Sequence, residues 1–316
     1  MTRYSLGVAA TSYLRVWETM DTLEFLERCH GFGAAGIHAV LHGDPLRIRA
    51  ETEKRGMYLE AMVPLPTGDD TSEFEQSLKT AQLAGATALR GACLGTRRYE
   101  TFKTFEAWQA HVAESHRSLE AALPLIDKYK IPLGLENHKD WTTDQLLTLM
   151  KKYSSEYFGV CLDFGNNISL LDSLMETIEK LAPYTVTTHV KDVAVEPYED
   201  GILLSEVILS EGLINLARAV SLIKQARPAT RMNLEMITRD PLKIPLLREE
   251  YWSTLPNLSA ADLARTLHFV HHNKSAGPLP RVAHLTAAER SQLEDENVMR
   301  CLFEWERHGF GFKPTD

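Results

Sequence analysis

Four residues, each closing or nearly closing a short apolar run, carry the donor chemistry of this chain: Glu136, Asp163, His189 and Glu235. They sit in Leu133-Gly-Leu-Glu-Asn-His138, Val160-Cys-Leu-Asp-Phe-Gly-Asn166, Thr187-Thr-His-Val-Lys-Asp192 and Met232-Asn-Leu-Glu-Met236. Three carboxylates placed side by side raise one another's pKa, and a divalent cation removes that conflict. With one imidazole they form a mostly hard, oxygen-rich set that suits Mn²⁺ or Mg²⁺ and is compatible with Co²⁺. A structural zinc site would favour cysteines. Taken singly, each residue has an ordinary explanation: a strand-end carboxylate is commonly a helix cap or loop ion pair, and Asp163 before Phe-Gly suits an Asx turn. The recurrence in four successive runs is what calls for a shared partner.

The elements that must bring these residues together follow from the alternation of apolar runs and amphipathic stretches. Strands are expected over residues 5–10, 35–40, 57–63, 87–91, 132–137, 158–163, 185–190 and 232–237. Helices are expected between them over 21–30, 46–55, 72–83, 105–130, 143–153, 171–181 and 213–226. Asp21 is placed as an N-cap, and Gly31, Gly56 and Gly85 as helix stops. Strands alternating with helices pair in parallel through right-handed crossovers, and eight in succession imply an α/β (β/α)8 TIM barrel. An open doubly wound sheet is the rival, but no GxGxxG follows the first strand. Alternate side chains of a barrel strand point inward. Glu136 shares a parity with Gly134 and His138, Asp163 with Cys161, His189 with Lys191, and Glu235 with Asn233, while the large apolar residues take the other parity. The four donors thus face the mouth at the C-terminal ends of the strands.

Residues 1–240 are assigned to the barrel and 241–316 to a mainly helical C-terminal extension packed on it. Pro241, Pro245, Pro256, Pro278 and Pro280 punctuate the extension; residues 260–271 read as a helix, and Thr286-Ala-Ala-Glu289 has capping-box spacing ahead of a helix to His308. At 316 residues, 44% hydrophobic and 24% charged, the chain has ample material for a core. A net charge of −9 and a pI of about 5.8 argue against a nucleic-acid partner, which normally demands a basic field. No run approaches the ~18 apolar residues of a membrane helix, and the N-terminal residues lack a signal-peptide pattern. Cys29, Cys93, Cys161 and Cys301 are far apart with no CxxC pair, as expected for buried thiols in a reducing compartment. A cytoplasmic protein without membrane contact is expected, with homo-oligomerisation left open.

Gly134-Leu-Glu-Asn-His138, Leu162-Asp-Phe-Gly-Asn166, His189-Val-Lys-Asp192 and the Glu of Asn233-Leu-Glu235 resemble the strand ends of the xylose isomerase-like TIM-barrel superfamily, often labelled sugar phosphate isomerase/epimerase. The resemblance covers roughly residues 5–240. It implies that Glu136, Asp163, His189 and Glu235 bind a catalytic metal, with Glu136 and Glu235 as the acid/base pair that exchanges the substrate's proton.

The leading expectation is therefore an isomerase or epimerase acting on a ketose or sugar acid through a metal-stabilised enediolate. The alternative is a lyase using the same site, either decarboxylating a 3-oxo sugar acid or dehydrating a keto-sugar. The substrate is a small carbohydrate. His138 and Lys191, on the inward parity, and Arg90, ending the fourth strand, are its expected contacts; Asp192 is expected to orient a metal ligand. Arg97, Arg98, Lys139, Arg239 and Lys243 also lie near strand ends and hint at an acidic substrate. His38 and His42 are further candidates, with core or loop roles as the simpler reading. The superfamily's apurinic endonucleases, which use a His-rich zinc set, and a non-catalytic sugar-binding barrel are the remaining classes.

Overall fold

The computed structural model describes residues 4–310. Its barrel begins β1 (Gly7–Ala9), α1 (Thr22–Gly31), β2 (Gly36–Ala39), α2 (Pro45–Arg55), β3 (Tyr58–Met62), α3 (Ser72–Ala84) and β4 (Leu89–Gly91). A short α4 (Arg98–Thr101) precedes the long α5 (Phe105–Tyr129), then β5 (Leu133–Glu136), α6 (Thr143–Lys152), β6 (Phe158–Asp163), α7 (Leu174–Leu181) and β7 (Thr185–His189). A hairpin of β8 (Asp192–Tyr198) and β9 (Gly201–Val207) intervenes before α8 (Leu216–Ala226) and β10 (Asn233–Leu234). β11 (Leu242–Ile244), α9 (Glu249–Trp252), α10 (Ala260–His272) and α11 (Ala287–Arg307) complete it.

The sheet runs β10-β1-β2-β3-β4-β5-β6-β7, with every neighbouring pair parallel. Two hydrogen bonds close the ring: Val190 N donates to Asn233 O at 2.7 Å, and Glu235 N to Val190 O at 2.8 Å. The expected (β/α)8 barrel is present, with shorter strands than the apolar runs suggested. Local chemistry sets the helix ends. Asp21 Oδ1 accepts from Leu23 N and Glu24 N, a cap worth ~1 kcal/mol. Gly56 and Gly85 adopt the left-handed conformation that ends α2 and α3. Capping boxes start α6 (Thr142/Gln145), α10 (Ser259/Asp262) and α11 (Thr286/Glu289).

The apolar core lies between strands and helices, where Ile37, Leu59, Leu89, Leu133, Leu135, Val160, Leu162 and Leu234 are buried. Inside the barrel the filling is polar. Tyr58 crosses the interior to donate to Met232 O at 2.8 Å, and a Cβ on Gly7 or Gly36 would fall within 2.4 Å of its ring or hydroxyl. Glu60 accepts from Asn233 Nδ2 at 2.7 Å and from the Thr187 hydroxyl. These groups form a floor beneath the mouth.

One feature departs from the expected layout. The sequence pattern places no element between residues 190 and 213, yet β8 and β9 form an antiparallel hairpin there, which β11 extends from beyond β10 and on which α10 packs. Its alternating Val, Leu and Ile residues carry strand propensity, but a barrel count has no slot for them. The eighth helix comes from the C-terminal extension, as a count of eight strand-helix periods requires. α11 lies against β1 and α1: Trp305 Nε1 donates to Ser5 Oγ at 3.0 Å, Tyr13 OH to Asp295 at 2.9 Å, and Arg28 sits 3.5 Å from Asp295. On its other side Arg300 meets Glu211 at 2.8 Å. The final helix of the extension thus walls the first strand.

Candidate metal centre

Parallel strands point their C-terminal ends to one rim of the barrel. Glu136, Asp163 and His189 are the last residues of β5, β6 and β7, and Glu235 directly follows β10. One donor atom from each lies within 4.8 Å of the other three. His189 Nδ1 is 3.2 Å from Glu235 Oε1 and 3.5 Å from Glu136 Oε1. All four side chains are sealed from solvent, with residue exposures of 0–4%.

The surroundings orient each donor. Arg90 Nε donates to Glu136 Oε2 at 2.6 Å and its Nη2 contacts the same oxygen, while Asn166 Nδ2 reaches Glu136 Oε1 at 3.4 Å. Asp163 divides its oxygens. Oδ1 accepts from Gly165 N at 2.9 Å and Asn166 N at 2.8 Å, the anticipated Asx turn; Oδ2 is left for the centre, 2.7 Å from Lys191 Nζ. The Asn137 amide clamps the Asp163 backbone from the neighbouring strand, accepting from its N and donating to its O. Glu235 accepts from Thr11 Oγ1 at 2.6 Å and contacts Lys191 Nζ through Oε2.

Burial alone would suppress ionisation of these carboxyls, but neighbouring cations decide the outcome. Against burial, Arg90 and His189 hold Glu136 well below its ordinary value, and His189 with Lys191 do the same for Glu235. Asp163 is pushed up to about 6 by burial, with Glu235 and Glu136 adding to the rise against Lys191. His189 is raised: burial opposes its charge, and Glu235 and Glu136 overcome it.

The donor set fits a divalent cation. Neither ring nitrogen of His189 has an aligned hydrogen-bond partner, an expensive arrangement for buried polar atoms unless a ligand completes them. A cation ~2.1 Å from each donor would set the donors at most about 4.2 Å apart, so a contraction of roughly half an ångström closes the observed set.

The other expected contacts are distributed unevenly. Lys191 and Arg90 do reach the centre, but each is engaged with its carboxylates instead of being open to a substrate, because a buried cation takes the nearest anion. His138 stands at the edge, half-buried, its Nδ1 3.2 Å from Thr96 O. Asp192 corrects an expectation. Its carboxylate accepts from the backbone N–H groups of Val193, Ser210, Gly212 and Ile214 and bonds to none of the four donors, so it staples the loop before α8. His42 is tied to Glu18 O in a loop at 2.6 Å. His38 is fully buried with both ring nitrogens unpartnered, its ring 5.1 Å from that of His189, and burial holds it neutral. Sequence reasoning missed Thr11, Asn166 and Glu206. The polar Thr11-Ser12 pair after an apolar strand was a usable signal for the first; Glu206 lies on the unexpected hairpin.

The segment after β10 closes the mouth. Tyr251 OH donates to Ser169 O at 2.8 Å and Arg98 Nε to Thr254 Oγ1 at 3.2 Å, so the chain reaches from β10 to the loop after β4, its opposite strand. A groove of ≈ 930 Å³ lined by Arg98, Trp108, Thr143, Ser173, Pro256 and Phe269 lies outside this closure and includes none of the four donors.

Known proteins resemble this chain in sequence or in fold. The family model described as "Xylose isomerase-like TIM barrel" matches residues 23–256. A 3-oxo-isoapionate decarboxylase of Pectobacterium atrosepticum is 34% identical over 99 residues, 31% of this chain; the match spans only 36% of that protein's length. D-psicose 3-epimerase of Clostridium cellulolyticum, solved with D-tagatose, superposes with a TM-score of 0.56 at 13% identity, covering 85% of this chain and 99% of that one. A xylose isomerase-like barrel protein of Mycobacterium smegmatis, in complex with magnesium, gives 0.51 at 15% identity, covering 84% and 100%. At such identities the structural likenesses establish the fold.

Proposed function

The chain belongs to the xylose isomerase-like TIM-barrel family, and from that premise we propose that it is a divalent-metal-dependent enzyme that removes CO₂ from a 3-oxo sugar acid. Glu136, Asp163, His189 and Glu235 would hold the cation, with Mn²⁺ or Mg²⁺ best suited to three carboxylates and an imidazole. When bound, such a cation supplies electrophilic stabilisation of negative charge on a substrate oxygen.

The observation that carries this reading is the unequal state of the two glutamates. Arg90 grips Oε2 of Glu136 through two nitrogens, whereas Glu235 touches the proton-bearing Lys191 ammonium. Epimerisation needs a proton-exchanging group on each face of the substrate. Decarboxylation needs one donor. The C1–C2 bond breaks, its electron pair passes into the C2–C3–oxygen system, CO₂ departs, and the Lys191–Glu235 pair returns a proton to C2. The closed mouth keeps bulk water from that carbanion. The partial relative named as a decarboxylase of a 3-oxo acid supports the same reaction class.

A second reading, isomerisation or epimerisation of a ketose or sugar acid, is favoured by the approach of both Glu136 and Glu235 to His189 Nδ1 within 3.5 Å. Incubating the metal-loaded protein with 3-oxo sugar acids and ketoses in D₂O separates the two. CO₂ release with one deuterium in the product and none in recovered substrate is expected; deuterium washing into recovered ketose without gas would overturn the decarboxylase.

A further inference from the structure

Four cationic side chains gather at the centre, Arg90, Lys139, Lys191 and Arg239, against four carboxylates, Glu136, Asp163, Glu206 and Glu235. Three of the cations are matched: Arg90 to Glu136, Lys191 to Asp163 and Glu235, and Arg239 to Glu206. Lys139 is the exception. It is 3% exposed, and its ammonium donates to Asn166 Oδ1, a neutral amide whose other end approaches Glu136. Among the described residues no carboxylate forms an ion pair with it. An ammonium carries three donors, and a charge buried without a counter-charge is costly. Burial, with Lys191 and Arg239 nearby, pulls Lys139 down to about 8.

The charge count sharpens the point. With His189 neutral, as a metal ligand must be, the eight side chains balance by themselves, so a divalent cation leaves the sealed site with two positive charges in excess. A neutral sugar leaves that excess buried; an anionic substrate reduces it.

We propose that Lys139 is the binding residue for a carboxylate group of the substrate, which restricts the site to sugar acids. This deepens the metal-dependent decarboxylase reading and rests on it for the cation. A grip on the carboxylate that is lost stabilises the bound substrate and not its breakdown, so replacing Lys139 raises KM and kcat together and leaves kcat/KM nearly unchanged.

Calorimetric titration of the full chain loaded with Mn²⁺ tests this, using L-threonate, the uncharged L-threitol and inorganic phosphate. Wild type is expected to bind threonate at least about tenfold more tightly than threitol, the scale of one charge-assisted hydrogen bond. K139Q and K139M should lose most of that preference while binding Mn²⁺ as wild type does. Equal affinity for threonate and threitol in wild type, which needs no variant to fold, would overturn the proposal. So would an undiminished preference in the variants, or tighter Lys139-dependent binding of phosphate than of threonate. Because the titration needs no turnover, Lys139-dependent threonate binding without CO₂ release would sink the decarboxylase and keep the anion site. CO₂ release with binding indifferent to Lys139 would do the reverse.

Discussion

Lys191 Nζ lies 2.7 Å from Asp163 Oδ2 and also touches Glu235 Oε2, so one ammonium bridges two of the carboxylates that fit a metal. It stands where a cation is electrostatically wanted, and it compensates their repulsion when no other charge does.

Replacing Lys191 with Met should therefore act on the metal-free protein most. Removing one partner of a buried ion pair leaves the other uncompensated and costs ~3–5 kcal/mol. Denaturant unfolding with and without Mn²⁺ measures it: K191M loses stability in chelator and recovers a larger share than wild type when Mn²⁺ is added. Equal losses in both conditions would mean that Lys191 and the metal do not share those carboxylates.

Glu235 combines a ligand role with the Lys191 contact. E235Q keeps the shape but loses the charge, so it should retain the fold, weaken Mn²⁺ binding and lower turnover by ~10³-fold or more, comparable to losing an electrostatic transition-state contact. Near-normal activity would contradict its role.

Glu60 gives the pH dependence of stability. Burial pushes its carboxyl up to about 7 from the ordinary 4.5, with the Thr187 and Asn233 hydrogen bonds opposing. Between those values the folded chain holds a proton that the unfolded chain has released, so this contribution is complete below pH 4.5 and is lost as pH rises through 7. E60Q does not titrate. Its stability relative to wild type should improve by up to ~3 kcal/mol between pH 4 and pH 8, read from denaturation midpoints across the series. A constant difference would show that Glu60 is ionised in the fold throughout.

Trp305 tests the final wall of the barrel. It is 1% exposed and bonds to Ser5. W305A should cost ~3–5 kcal/mol in equilibrium unfolding, as large as a core substitution in a strand. A loss below ~1 kcal/mol would make α11 a peripheral appendage.

The donors were legible because barrel strands obey a two-residue period: one correct parity in four runs placed Glu136, Asp163, His189 and Glu235 at one level. Two helix starts were equally readable, since Asp21 and Thr286 announce themselves by local chemistry. What escaped depends on long-range pairing. The β8–β9 hairpin has strand composition, but its partner β11 lies beyond β10, and nothing local says so. Asp192 departs from its expected role for a related reason: next to Lys191 it looks like an outer support for a metal ligand, whereas the fold of residues 210–214 brings three backbone donors to it beside that of Val193. The engagement of Lys191 and Arg90 was invisible too, because parity gives direction and not reach.

The position of α11 also bears on how the molecule is made. Synthesis delivers β1 before every other barrel strand, yet the helix that covers it emerges only after them all. Until then one flank of the barrel stays bare and its apolar face is open to chaperones or to misplaced neighbours. The barrel must therefore complete its fold late, when α11 meets β1.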